Sequence, residues 1–277
     1  MTAFLLYEKI CLIMLAILGA VLVFSMYVNG MQTLIGGVAV SEDEKKVLFS
    51  LLGHKWTVPA ALLVIYLVAS IFVVSDFFFK EMKYPWWLWG LTFLCFIIQG
   101  VSTYLGRKAA SQSLIRACDV SLPVCGFLAA VLTGVLLVSF APWSSSAPIF
   151  SPFNLMFGIM VFLASRTLGM IYVLARCSKM EGDAASDIAS RCQSRLKVTS
   201  SGFILVLITF AACTFFRDGY DPGNSPVSVW WMALVLLAGL LAIMAGIGRT
   251  VLRNKPSFFI TGLGVVLVIT VLMIAVK

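Results

Sequence analysis

Eight runs of apolar residues, each about as long as a helix that crosses a lipid bilayer, dominate this sequence. They lie at 4–28, 57–79, 85–106, 120–142, 153–176, 198–216, 227–248 and 258–276. A helix needs about 20 apolar residues to span the hydrocarbon core, where its backbone amides must bond within the protein. Since 61% of the residues are hydrophobic and only 12% are charged, we predict an all-α integral membrane protein with eight transmembrane helices.

The charges of the loops predict how these helices are oriented. Of the 20 Lys and Arg residues, fourteen lie in or beside the loops after the odd-numbered runs, five lie on the opposite side, and one is Arg166 inside the fifth run. Positively charged loops remain in the cytoplasm, so both termini are predicted on the outer, periplasmic side. This distribution explains the net charge of +8 by membrane topology, and no nucleic-acid partner is predicted.

The two halves of the chain follow one plan. In each half a long apolar run precedes a charged, helix-prone segment, SEDEKKVLFSLLGHKW or EGDAASDIASRCQSRLK, and three further runs follow. An even number of spans per half keeps both halves in the same orientation, which predicts a pseudo-two-fold axis along the membrane normal. We therefore predict two four-helix bundles, residues 1–142 and 143–277. In the first charged segment, Ser41 and Glu44 have the spacing of a capping box.

Residue types that commonly carry chemistry in membrane proteins are scarce. His54 is the single histidine of the sequence, so this chain cannot supply two axial histidines to a haem. The seven cysteines form no C-x-x-C pair, and the paired carboxylates typical of ion-coupled transporters are missing from the centres of the runs. The sequence therefore predicts no catalytic, cofactor-binding or metal-binding residue in this chain.

Arg166 is a permanent cation inside the fifth run, FNLMFGIMVFLASRTLGMIYVLAR. If that helix starts on the outer side at Phe153, a rise of 1.5 Å per residue places Arg166 about 20 Å inward, near the midplane and too deep for easy snorkelling. An arginine there costs at least about 3 kcal/mol, so we predict that it faces protein, water or an anionic ligand. Gly169, one turn further, is predicted to let another helix come close.

Few groups of this chain lie at the depth of Arg166. By the same rise per residue, Gln99 lies at nearly that depth, whereas the outer-side acids Glu8 and Asp76 lie more than about 10 Å nearer the outer surface. Gln99 can accept a hydrogen bond but cannot neutralise the charge. Two hypotheses remain open. Backbone carbonyls and water of the same bundle bind the guanidinium, or a carboxylate or propionate of another subunit or ligand does.

Several segments, taken in order, resemble subunit II of the cytochrome bd family of quinol oxidases, most closely its shorter, divergent branch. They are the aromatic–acid pair Tyr7-Glu8, the first helix end LGAVLVFSMYVNGMQTLIG, SEDEKK leading to GHKW, the helix end QGVSTYLGRKA, and FSPFNLMFGIMVFLASRTLGMIYVLAR with its internal arginine. The resemblance covers residues 4–216.

This resemblance implies a non-haem subunit of a respiratory terminal oxidase in the bacterial cytoplasmic membrane. In the family, haems b and d and the quinol-oxidising loop belong to subunit I, so this chain would hold no cofactor alone and would stabilise that haem-bearing partner, mainly through the first and fifth helices. Quinol is the substrate of such a complex. Small single-span accessory subunits, membrane lipid and a structural quinone are further expected partners.

Subunit II of the family can also supply acids to a cytoplasmic proton path. At the positions that resemble those acids, this chain has Asn29, Gln32 and Thr57, near His54 and Trp56 at the start of the second run. The carboxylates are therefore absent, and the resemblance does not carry a proton path over to this chain. We predict that Asn29, Gln32, His54 and Trp56 form either a polar path or a cluster at the helix entry on the cytoplasmic side.

Two other functions agree with the pattern of apolar runs. The membrane anchor of a quinone-linked reductase also often has eight spans and no obligatory haem, and a neighbouring gene for an iron–sulfur subunit would favour it. A small-solute transporter can be built from two parallel repeats. It predicts central polar cavities and broken helices, yet few of the runs carry polar residues at mid-depth.

Overall fold

The computed structural model describes residues 2–73, 86–108, 112–139, 149–217, 226–253 and 256–275. Within these ranges the chain forms helices and no strand, which confirms the all-α prediction. The helices are α1 (Thr2–Ser25), α2 (Tyr27–Ile35), α3 (Glu42–Leu52), α4 (Thr57–Val73), α5 (Trp86–Lys108), α6 (Gln112–Ser139), α7 (Pro152–Cys177), α8 (Asp183–Arg217), α9 (Pro226–Arg253) and α10 (Phe258–Ala275).

Six helical segments of the described chain are long and apolar enough to cross a membrane. They are Ile13–Ile35, Trp86–Gly106, Ser113–Ser139, Pro152–Cys177, Asp183–Thr214 and Trp231–Leu252. A seventh is obtained if α3 and α4, which are bent by 41° at their junction, count as one span. The apolar part of α10, Phe258–Ile274, is shorter than the other spans. The protein is therefore a multi-pass membrane protein.

Local sequence explains where two of the helices begin. At α7, the Ser151 side chain accepts a hydrogen bond of 3.2 Å from the Asn154 amide, and Pro152 occupies the first turn, where its missing N–H is not needed. At α3, Ser41 and Glu44 form the reciprocal capping box that their spacing predicts. Both caps satisfy amides that a helix start leaves unpaired.

The first long apolar run is broken into two helices. Met26 forms a turn between α1 and α2, and the Ser25 hydroxyl donates to the Leu22 carbonyl at 2.7 Å. All residues of α2 from Val28 to Ile35 are buried. The short helix α2 therefore lies inside the protein, where it packs against α6 and α7.

The core lies around the contact of α1 and α2 with α7. In addition, α7 packs against α6 and α8, α1 packs against α4 and α10, and the pairs α5–α6 and α9–α10 are in extensive contact. The most apolar stretch of α7 is 72% buried inside the chain, against 22% for that of α9. Most of the surface of the fifth helix is therefore covered by the chain itself, and its expected contact with a partner subunit stays a prediction.

The charged segments of the two halves differ in structure. In the first half, α3 ends at Gly53, whose φ of 50° is accessible mainly to glycine, and the chain bends into α4. In the second half, the charged segment and the following apolar run form the single helix α8. The difference arises because no glycine or proline interrupts residues 183–197.

Candidate functional site

Amide side chains from three neighbouring helices meet inside the protein. Asn29 of α2 donates through Nδ2 to Oε1 of Gln99 on α5 at 3.2 Å. Gln99 donates through Nε2 to the backbone carbonyl of Cys125 in α6 at 2.9 Å. The side chains of Asn29 and Gln99 are fully buried. These two hydrogen bonds therefore connect α2, α5 and α6 in an interior that offers few other polar partners.

Gln32 lies one turn after Asn29 on α2 and adjoins the same cluster. A Cβ built on Gly126 of α6 would lie 2.9 Å from the Asn29 carbonyl oxygen and 3.3 Å from Oε1 of Gln32. Neither Oε1 nor Nε2 of Gln32, nor Oδ1 of Asn29, has a hydrogen-bond partner in the described part of the chain. We name Asn29, Gln32 and Gln99 the amide cluster.

The chemistry of the amide cluster is limited by its side chains. Amides donate and accept hydrogen bonds, but they do not ionise at physiological pH. The cluster can therefore orient a polar group or a water molecule, but it cannot act as a carboxylate acid or base. Its two residues on α2 are those that resemble the acid positions of the bd family.

The other two residues of the predicted cytoplasmic cluster lie elsewhere. His54 is exposed in the turn between α3 and α4, and its carbonyl accepts a hydrogen bond of 2.8 Å from the Thr57 hydroxyl. Trp56 is half-buried, and its ring lies 2.6 Å from a Cβ built on Gly100 of α5. The structure thus places the Trp56 ring against α5 at Gly100, the residue that follows Gln99, and leaves His54 at the surface.

Arg166 lies where α7 crosses α2. A Cβ built on Gly30 would overlap the Ser165 carbonyl and lie 2.8 Å from the Cα of Arg166. A Cβ on Gly169 would lie 2.7 Å from the backbone nitrogen of Met31. The two helices therefore touch backbone to backbone, as small residues allow in membranes. The close approach expected at Gly169 is present, and the approaching helix is α2 of the same chain.

The guanidinium of Arg166 reaches the end of α2. Its Nη2 lies 3.8 Å from a Cβ built on Gly37, and Nη1 of Arg195 on α8 lies 3.0 Å from the same point. Gly37 lies two residues after Ile35, the last residue of α2, so the half-buried Arg166 side chain extends to the polar end of that helix. The position of Arg166 along α7 does not predict this contact, because the contact also depends on the length of the side chain and on where the buried helix α2 ends.

Acids at this end of the protein pair with other cations. Glu44 of α3 accepts hydrogen bonds from both terminal nitrogens of Arg191 on α8, at 2.9 Å for Nη1. Asp119 of α6 forms an ion pair of 2.6 Å with Lys45 of α3. These contacts hold the polar helix α3 against α6 and α8.

Arg166 and Arg195 differ from these cations. In the described part of the chain, neither forms an ion pair with an acid. We name them the arginine pair. Sequence reasoning identified Arg166 but missed Arg195. Because α8 is continuous, Arg191 and Arg195 lie one turn apart on the same face of the helix.

Glu44 is the acid most strongly affected by its surroundings. The hydrogen bonds from Arg191, with further ones from the Val40 and Ser41 amides, lower the pKa of Glu44 to about 2, although burial opposes the change. Five of the eleven residues of α3 are charged, so the helix lies outside the apolar spans.

We expect the contact between α3 and α8 to depend on pH in acid. Because the folded-state pKa of Glu44 is lowered, its stabilisation is complete above its ordinary pKa of 4.5 and is lost as pH falls toward 2. Glu44→Gln should lower the melting temperature at pH 7, and its difference from the unsubstituted protein should shrink below pH 4.5. Thermal unfolding of the purified protein across this range measures both effects.

The matched control for this experiment is Asp43→Asn. Asp43 lies on the same helix, but its side chain is 79% exposed and pairs with an exposed lysine, so its loss should change little. An equal effect of the two substitutions at every pH would contradict the assignment of Glu44.

The two outer-side acids predicted from the sequence are not placed with the arginine pair. Glu8 belongs to α1, but its side chain is outside the described set, and Asp76 lies outside the described residues.

Nearly the whole chain, and not only its motifs, is similar to one protein family. A family model described as cytochrome bd terminal oxidase subunit II matches residues 7–276. No curated protein matches the chain. The match includes α2, α5, α6, α7 and α8, which carry the amide cluster and the arginine pair, and it extends past residue 216, where the resemblance in the sequence ended. The chain therefore belongs to the cytochrome bd terminal oxidase subunit II family, and it is a subunit of a terminal quinol oxidase.

Proposed function

We propose that this chain is the non-haem subunit that scaffolds and stabilises the haem-bearing subunit I of a bd-type quinol:oxygen oxidoreductase. The observation that carries the proposal is the family match over residues 7–276. The proposed location is the bacterial cytoplasmic membrane, with both termini on the periplasmic side, supported by the distribution of Lys and Arg residues. Accessory single-span subunits, quinol as the substrate of the complex and bound lipid or quinone belong to the same proposal.

Haems b and d are assigned to the partner in this proposal because the residues of this chain do not suit them. Its single histidine, His54, is exposed in the turn between α3 and α4, whereas axial ligands lie inside a haem pocket. Within the described ranges, His, Cys, Asp and Glu side chains form no group of three suited to a metal ion. We therefore assign no step of quinol oxidation to this chain.

The proposed architecture has two four-helix bundles, residues 1–142 and 143–277, with eight spans related by a pseudo-two-fold axis. The contacts between helices support it because they are reciprocal. The last helix of the first half, α6, packs on α7, the first helix of the second half, and α10 packs on α1 in the same way. The pairs α5–α6 and α9–α10 also correspond. Under this symmetry α1, α2 and α7 lie next to the axis.

Much of the outer surface remains apolar and available to a partner or to lipid. Along α9, the exposed side chains recur on one face at Trp231, Leu234, Leu237, Leu241 and Met244. A face of this kind is stable only against hydrocarbon or another apolar protein surface. It is consistent with a subunit whose function is to pack beside another membrane protein.

Copurification tests the proposed function. A tagged form of the chain, expressed with its neighbouring genes, should be recovered with a second polytopic subunit and with the absorption bands of haems b and d. Recovery with an iron–sulfur subunit would instead identify a reductase anchor. Recovery free of haem and of any second membrane subunit would contradict the proposal.

A further inference from the structure

We propose that Arg166 and Arg195 bind the phosphate of an anionic phospholipid whose acyl chain lies along the exposed faces of α6 and α7. This site concerns the surface of the chain itself and does not depend on the haem-bearing partner. Its evidence is the geometry of the arginine pair, the charge around it and the apolar surface that leads to it.

The geometry of the arginine pair suits one phosphate group. A Cβ built on Gly37 would lie 3.0 Å from Nη1 of Arg195 and 3.8 Å from Nη2 of Arg166. The two guanidinium groups therefore border the same small space. A charge-assisted hydrogen bond to phosphate is about 2.8 Å long, and one phosphate presents several oxygens. Two such bonds, one from each guanidinium, can therefore converge on a single phosphate.

A side chain at Gly37 would crowd the two guanidinium groups, since a Cβ there would lie 3.0 Å from Nη1 of Arg195 and 3.9 Å from the Thr33 carbonyl oxygen. Any side chain at this position would begin at the point where the two nitrogens converge. Gly37 has no positive φ, so its backbone conformation does not require glycine. The absence of a side chain thus matters for access to the arginine pair.

The local charge selects an anion. Glu44 is engaged by Arg191 and Asp119 by Lys45, so these two acids already have cationic partners. Two guanidinium groups that form no ion pair with an acid of the described residues attract an anionic headgroup. A zwitterionic headgroup, with its own cation, would compensate this charge less well.

An apolar surface leads directly to the arginine pair. Ile159 and Phe162 lie on the same face of α7 as Arg166, at helical spacings of seven and four residues. Phe162 meets Phe127 of α6 edge to face, with ring centroids 4.7 Å apart, and Phe127, Val124 and Ile159 are exposed by 41%, 49% and 44%. An acyl chain can cover these side chains while its phosphate reaches the guanidinium groups. This continuity favours a lipid over a free anion.

Native mass spectrometry of the purified complex, delipidated and then titrated with single lipids, tests the proposal. We expect the complex to bind one more molecule of phosphatidylglycerol than of phosphatidylcholine. Arg195→Gln should weaken that site about tenfold or more, since it removes a charged hydrogen-bond donor. Gly37→Leu should weaken it similarly although both charges remain. Inorganic phosphate should not displace the lipid at equal concentration, because it lacks the apolar contact.

The control is Arg249→Gln, which removes an exposed arginine from α9 and should leave the site unchanged. Equal lipid binding by the unsubstituted complex, Arg195→Gln and Gly37→Leu would overturn the proposal. Displacement by inorganic phosphate would overturn it in favour of a free-anion site. If Arg166→Gln releases a partner subunit while lipid binding stays intact, the arginine binds a carboxylate of that subunit and the lipid assignment is wrong.

Discussion

Gly169→Ala should largely prevent the protein from accumulating as a stable complex. The added Cβ would lie 2.7–2.9 Å from backbone atoms of Tyr27, Gly30 and Met31 on α2, and a helix backbone cannot move aside as the end of a flexible side chain can. Overpacking of this kind costs about 3 kcal/mol, the upper end of the usual range. The yield of the purified complex and its melting temperature measure the effect.

Gly202→Ala on α8 is the matched control. Outside its own helix backbone, no atom of the described residues lies within 4 Å of a Cβ built there, and alanine is the better helix former by about 1 kcal/mol. The control should therefore keep or slightly raise the melting temperature. If the two alanine variants have the same yield and melting temperature, the close contact of α2 and α7 does not stabilise the protein as we propose.

Gln99→Leu should destabilise the protein and Gln32→Leu should not, although both replace a buried glutamine by a residue of similar size. Gln99→Leu leaves the buried Nδ2 of Asn29 without its acceptor and removes the side-chain donor to the Cys125 carbonyl, which costs about 2 kcal/mol. Gln32→Leu removes an amide that has no hydrogen-bond partner among the described residues, so it should be neutral or stabilising.

Melting temperatures of the two variants, measured side by side in the same detergent, make this comparison. The two substitutions act as controls for each other, because both remove one amide from the same cluster. Equal destabilisation by the two would show that Gln32 also has a partner, and the cluster would then be more fully bonded than its geometry indicates.

The boundaries of α7 and the start of α3 follow closely from local sequence. The fifth run was predicted at 153–176, and α7 is Pro152–Cys177, because a serine cap and a proline start the helix and a polar segment follows it. The capping box at Ser41 and Glu44 was predicted from spacing alone and is present. Such features depend on residues within one or two turns of each other, so a single sequence contains them.

Contacts between helices were predicted less well. Asn29 and Gln99 were assigned to different groups, yet they are hydrogen-bonded across 70 positions of the chain. Arg166 was assigned a depth from its place in one helix, yet its neighbours are set by the turn after α2 and by a residue of α8. The rise per residue gives the position of a side chain along its helix axis. Its neighbours to the side depend on how the helices pack.

What the sequence determined by itself is a helical membrane protein whose single histidine cannot supply both axial ligands of a haem, because length, apolarity and residue type are properties of each segment alone. The tertiary structure decided which polar groups meet. Glycines at 30, 126 and 169 bring α2 against α6 and α7, so the amides and the Arg166 side chain acquire their neighbours only when these helices pack. Packing also brought a second arginine, Arg195, close to Arg166 beside Gly37.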